Sequence, residues 1–270
     1  MGTKILMLKK KIIQSYINTV GRFPKLNTRM LNMALKAHGY NVHHQNSGED
    51  RLVKLLKDAK VCIDVGANQG QYASILLKYT NANIISFEPN PLVFQVLSQL
   101  AEKNSNRLTA INKGVADQTG TLTLHHGVDV SIHGGDTGFA SFSEEVKQIP
   151  RVNRANSHQT LVEVTSLDEY DLPDEIDLIK IDVEGFEYEV LKGMQKIIKQ
   201  KRVKYIQLEY GPQQFYRGHT LADLSKLMPG YDRSYRLSRY KLIPCDAKSP
   251  ESQLYSLSNW VFTTGKNALS

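Results

Sequence analysis

The chain is poor in most of the residues that announce a specialised class. Its two cysteines, Cys62 and Cys245, are too few for a disulfide framework and lack the paired spacing of a zinc site. A reducing cytoplasm is therefore the expected home. The single tryptophan, Trp260, lies in the apolar run NWVFT and reads as part of a last buried strand, not as a binding platform. No apolar run approaches the roughly 18 residues of a membrane-spanning helix, because Lys9, Lys10 and Lys11 interrupt the first candidate. Those lysines follow the short apolar run, the wrong order for a cleavable secretory signal.

Acid is missing from the first 48 residues, which hold eight lysines or arginines and no aspartate or glutamate. The formal charge of +7 therefore belongs to an amino-terminal arm, since the remaining 26 basic groups face 27 acids and nearly cancel. Ile5, Leu8, Ile12 and Tyr16 share one helical face, and Leu26 to Ala37 repeats the pattern. Two readings fit. Either both helices pack their apolar stripes on the body, or the arm touches an anionic membrane surface or a lipid-linked glycan, which would make the protein peripheral at the inner membrane surface. Nucleic acid is not expected as a partner, because few aromatics are interleaved with the lysines and the body is not basic.

What the chain does contain is a strand that ends in an acid and runs into a glycine-punctuated turn, VCIDVGANQGQY, Val61 to Tyr72. A second apolar run, NIISFEPN, ends in Glu88, about 20 residues on, where a carboxylate at the next strand end meets the hydroxyls of an adenosine ribose. The turn does not suit a dinucleotide. Counting from Gly66, a G-x-G-x-x-G pattern needs glycine where Asn68 and Gln71 stand, and no lysine followed by Ser or Thr closes a phosphate loop. Asp64 would repel phosphates and suit a cation bearing an amino group, such as S-adenosylmethionine. The plainer alternative is that Gly66 and Gly70 only make a tight turn and Glu88 only caps the helix begun by Pro89 and Pro91.

A third strand, DLIKIDVEGFEYEVLKGM, delivers Asp182 to the same edge before a turn at Glu184 and Gly185 and a further helix. Together DVGANQGQYAS, SFEPNP and LIKIDVEGFE resemble the FkbM family of S-adenosylmethionine-dependent methyltransferases over roughly Val61 to Tyr210. The resemblance implies an α/β fold, a Rossmann-like seven-stranded methyltransferase sheet with helices on both faces, and methyl transfer to a hydroxyl oxygen of a sugar, glycan or natural product. It implies that Asp64, Gly66, Asn68 and Gly70 line the methionine part and that Glu88 meets the ribose, with Tyr72 and Pro89 beside them. Ala116 and Asp117, in GVADQTG, would reach the adenine, and Asp182 would sit nearest the transferred methyl.

The expected organisation is a basic helical extension over 1–50 and a methyltransferase domain over 51–270, with an acceptor-loop insertion at about 121–165. TLTLHH and LVEVTSL alternate like paired strands and bracket the glycine-rich segment Gly127 to Glu145, the expected acceptor loop. His125, His126, His133, Asp129 and Asp136 lack a firm ligand spacing, so no metal is assigned. Proton removal from an acceptor hydroxyl falls to Asp182, His133, Glu184 or Glu209, with Asp182 for positioning and His133 for the proton. Glu187 and Glu189 are read as a solvated first helical turn. A non-catalytic cofactor-binding or scaffold member of the same fold stays open as the alternative.

Overall fold

The computed structural model describes residues 11, 14–15, 17–19, 22–40, 47–127, 140–145, 156–267 and 269. After helices α1 (Pro24–Ala37) and α2 (Glu49–Leu55), strands and helices alternate: β1 (Val61–Val65), α3 (Gln71–Tyr79), β2 (Asn83–Phe87), α4 (Pro91–Lys103) and β3 (Leu108–Ile111). A smaller unit follows, β4 (Gly114–Val115), β5 (Gly120–Gly127) and β6 (Asn156–Thr165). The chain then returns through β7 (Ile176–Ile181), α5 (Glu187–Lys192), α6 (Gln195–Lys199), β8 (Val203–Tyr210), α7 (Pro212–Arg217) and α8 (Leu221–Lys226). It closes with β9 (Arg233–Leu237), β10 (Leu242–Pro244) and β11 (Ser258–Thr263).

The main sheet has the order β10-β9-β11-β8-β7-β1-β2-β3, with β8, β7, β1, β2 and β3 parallel and β11 antiparallel to both neighbours. Both faces are covered, which is why the central strands are apolar at nearly every position. Ile63, Val65, Ile179, Ile181, Trp260 and Phe262 pack on α5, α6 and α8, whereas Cys62, Ile84, Leu178 and Val261 face α2 and α3. The α/β architecture is the expected one. The sheet has eight strands where seven were expected, the addition being β10, a three-residue edge strand ending in Pro244. Proline lacks the N–H that a further strand would need, so it terminates the sheet there.

The pairing expected outside the main sheet is present. β5 and β6 run antiparallel, with Thr121 opposite Glu163 and Leu124 opposite Thr160, and β4 joins β6 in parallel. This small sheet is seated on the body through Gly193, where a Cβ would lie 2.0 Å from the Ala116 carbonyl oxygen. At the other end of the chain α1 does not lie down on the sheet: Leu26, Leu31 and Met33 are exposed. Its root is tied to the body. Arg236 Nε donates to the His38 carbonyl oxygen (2.6 Å), and its guanidinium stacks 4.1 Å over the Tyr40 ring.

The Gly193 contact predicts a specific intolerance. Gly193→Ala should cost about 1–3 kcal/mol in urea unfolding, the range for overpacking against backbone that cannot yield. Gly120→Ala, where no atom lies within 4 Å of an added Cβ, should change stability far less.

Candidate active site

The strand ends assemble one edge, and its first component is the turn after β1. Gly66 (φ +81°), Asn68 (φ +49°) and Gly70 (φ +87°) are all left-handed, a conformation open to glycine and tolerated by asparagine. The glycines are required by protein neighbours. A Cβ on Gly66 would lie 1.8 Å from the Asp182 carbonyl oxygen, and one on Gly70 would meet Leu100 at 2.7 Å. Glu88 closes the turn from the next strand: Oε2 accepts from the Asn68 amide and Oε1 from the Asn90 amide, both at 2.8 Å. Glu88 does not cap the following helix; Asn90 does, accepting from the Leu92 amide. Pro89 is half-buried beside it.

Beneath this turn lies a buried charge pair that sequence inspection passed over. Asp64 is fully buried, and neither of its oxygens accepts a hydrogen bond. Lys180, the penultimate residue of β7, stands 3.7 Å from Asp64 Oδ1 and 3.0 Å from Asp182 Oδ2, with its ammonium 5.1 Å from the Tyr72 ring centre. Tyr72 is itself buried and donates to Gln207 Oε1 (2.7 Å), while Gln207 Nε2 donates to Glu49 (3.0 Å) and Asn259 (3.1 Å). Tyr72 therefore supports the turn from below. The signal was a lysine and a glutamine at alternating positions of strands too apolar to leave them in water.

The second turn, after β7, carries the acids. Glu184 (φ +51°) presents its carbonyl to Ser141 Oγ (2.8 Å) and its carboxylate to Gln213 Nε2 (2.6 Å). Glu187 is not solvated, contrary to the sequence reading. It is buried, with Oε1 accepting from the Val183 and Gly185 amides and Oε2 from Gln214, so it organises the turn from inside. Glu189 is bonded by Arg217, which also reaches Glu145 at 3.4 Å and so ties the far end of the expected acceptor loop to the site.

Carboxylate oxygens of Asp182, Glu184 and Glu209 lie within 4.8 Å of one another, close enough among the described residues to share a cation. Burial, reinforced by the charge of Asp182, raises the proton affinity of Glu184 and Glu209 well above the ordinary carboxylate range. Burial lifts Asp64 to about 6, and lifts both Glu88 and Glu187 to about 7 against their backbone hydrogen bonds. Burial pulls Lys180 down, but the charges of Asp182, Asp64 and Glu49 outweigh it and hold the ammonium above the usual lysine value.

The remaining expected residues have the following surroundings. Ala116 is buried under Gly193, and Asp117 pairs with Lys192 at 3.0 Å. His125 and His126, at the end of the expected strand TLTLHH, are buried in β5, where His126 Nε2 lies 2.8 Å from Thr160 Oγ1. His133, Asp129 and Asp136 lie outside the described residues.

The description Methyltransferase FkbM domain matches residues 64–237, the stretch that carries all of these strand ends. The chain belongs to the FkbM methyltransferase family. It is 27% identical over 168 residues to the hexuronic acid methyltransferase AglP of Haloferax volcanii, covering 61% of this chain and 64% of that protein. It is 30% identical over 161 residues to methyltransferase sdnD of Sordaria araneosa, covering 49% and 59%. It is 27% identical over 197 residues to the 2-O-methyltransferase NoeI of Sinorhizobium fredii, covering 67% and 76%. The chain thus spans under two thirds of the length of the first two relatives. A crystal structure of methyltransferase FkbM from Methylobacillus flagellatus KT aligns at a TM-score of 0.47 and 17% identity, over 76% of this chain and 44% of that one.

S-adenosylmethionine is the cofactor of this family member. The residues present fit it. A buried carboxylate without a hydrogen-bond partner and a crowd of acids that outnumber their one lysine suit a ligand that brings a sulfonium and an ammonium.

Two outcomes follow from the edge. Glu88→Ala should weaken cofactor binding by about 1–3 kcal/mol in calorimetry, the range for losing charged hydrogen bonds, and unchanged affinity would remove Glu88 from the ribose. Glu187 offers a stability readout. Its folded value, about 7, exceeds the ordinary 4.5, so its contribution is complete below about pH 4.5 and is lost as pH rises through 7. Cofactor-free protein should therefore lose stability between these values, and Glu187→Gln should remove roughly 3 kcal/mol of that decline. Parallel pH curves for the two proteins would sink the assignment.

Proposed function

We propose that this protein transfers a methyl group from S-adenosylmethionine to a hydroxyl oxygen of a sugar-containing acceptor. The observation that carries this reading is the placement of Asp182, Glu184 and Glu209 within 4.8 Å of one another at the edge that holds the cofactor turn. A sulfonium-bound methyl is already activated, so the protein's share is to hold the acceptor oxygen in line and take its proton.

Glu184 is the base in this scheme. Its raised proton affinity matches the task better than that of an ordinary carboxylate, and Gln213 and Ser141 fix it at the side chain and the carbonyl respectively. Asp182 is already bonded to Lys180 and so positions the amino end of the cofactor. Glu209 orients the hydroxyl. Two relatives support the substrate class by name, one a hexuronic acid methyltransferase and the other a 2-O-methyltransferase. The segment up to Glu145, held by Arg217, covers the acceptor.

Labelled S-adenosylmethionine incubated with a panel of glycans and glycolipids should give label on an ether oxygen, located by mass spectrometry. Glu184→Gln should lower kcat by about a hundredfold or more, the usual share of a general base, with cofactor affinity nearly intact. Full kcat in that variant would move the base elsewhere. Cofactor binding with no turnover on any acceptor would favour a binding module.

A further inference from the structure

The amino-terminal helix is the largest feature the methyl-transfer reading leaves unused. Phe23, Leu26, Leu31 and Met33 are 57%, 48%, 57% and 72% exposed, although burying such side chains is the main gain that folding offers. Three of the four share a face: Phe23, Leu26, Met33 and Ala37 follow one another at helical spacing along one stripe, Lys25, Arg29 and Lys36 occupy the stripe beside it, and Leu31 lies away from both. Every one of these cations is exposed, and no acid precedes Glu49.

We propose that α1 docks on an anionic lipid surface, with its apolar stripe in the headgroup boundary and the flanking cations against the lipid phosphates. Charge complementarity selects this occupant. A second copy of the arm would bring only like charges along the flanks of the apolar seam, which opposes pairing. A nucleic acid would neutralise the cations but leave Phe23, Leu26 and Met33 in water. A lipid surface satisfies both stripes at once, and a helix with this segregation lies in the interface instead of crossing it. Among the described residues no helix is long and apolar enough to span a membrane.

The root of the helix gives the docking a direction. Arg236, which holds His38 and Tyr40, stands in one transverse row with Trp260 and Leu208, and Leu208 immediately precedes Glu209. Two strand spacings, about 10 Å, separate Arg236 from β8 along that row. The left-handed Gly39 and Gly48 close on the Leu237 and Ser238 carbonyls, so the arm leaves from the edge of the sheet that carries the acids. Docking would place that edge beside the bilayer.

Co-sedimentation of the full chain with phosphatidylcholine vesicles, with and without phosphatidylglycerol, at low and high salt, tests this. Binding is expected only with the anionic lipid and is expected to fall steeply with salt, since screening acts within about 8 Å at physiological ionic strength. A basic residue near such a surface is worth roughly fivefold in partitioning, so Lys25→Gln, Arg29→Gln and Lys36→Gln together should lower it about a hundredfold. Leu26→Ser with Met33→Ser should also reduce binding, while cofactor affinity and melting temperature stay unchanged because both side chains are exposed. The proposal is overturned if wild-type protein stays in the supernatant at low salt, or if neutral vesicles bind it equally. It is also overturned if light scattering shows a dimer that Leu26→Ser with Met33→Ser splits, or if duplex RNA competes the protein off vesicles.

Discussion

The site depends on one buried ammonium. Lys180 stands between Asp64 on β1 and Asp182 beyond β7, and it is the ammonium that both acids face beneath the turn after β1. Removing one partner of a buried pair typically costs several kcal/mol, because the remaining charge is stranded in a poor dielectric. Here the loss would be felt twice, since Lys180 touches both the strand that begins the cofactor turn and the strand that begins the acid turn. The ladder below it, Tyr72, Gln207, Glu49 and Asn259, then fixes α2 and α3 against β8 and β11. That ladder is why so polar a layer can lie inside the sheet: most of its polar atoms are paired.

Much of this was legible in the chain. The acids at the ends of β1, β2 and β7 could be read because a parallel strand buried on both faces is an apolar run, and a charge that ends it marks the edge. The pairing of β5 with β6 was legible from alternation alone. The roles of individual groups were not. That Gly66 and Gly70 also make room for the Asp182 carbonyl and for Leu100 could not be read from the chain, since no local pattern reveals those neighbours. Glu187 looked like an ordinary acid on a helical first turn; only the folded arrangement of Val183, Gly185 and Gln214 turns it inward. Lys180 and Gln207 were visible as polar residues in apolar strands, and that contradiction was the available clue.

The same contrast separates the body from the arm. In the body each charged group that is buried has a reason in its partners, and the family match covers that region. The arm's periodicity was equally clear, yet period alone could not say whether the stripe faced protein or something else. The exposed positions of Leu26, Leu31 and Met33 decide against packing on the sheet. A helix of 14 residues with these side chains exposed draws little of its stability from burial, and its own backbone bonds are marginal for a helix this short in water.

The contact between Gly66 and the Asp182 carbonyl has a consequence for how such a protein can diversify. It locks the donor turn and the acid turn together through backbone, so no single side-chain change in either can alter one without deforming the other. Residues 140–145 are attached differently, through the backbone bridge between Ser141 and His125, the Ser141 hydroxyl on the Glu184 carbonyl, the Phe142 ring against Phe186, and the Glu145 carboxylate on Arg217. Most of these are single side-chain contacts, each replaceable without moving the backbone of either turn. A lineage built this way can remodel its small sheet one residue at a time while the two locked turns pass on unchanged.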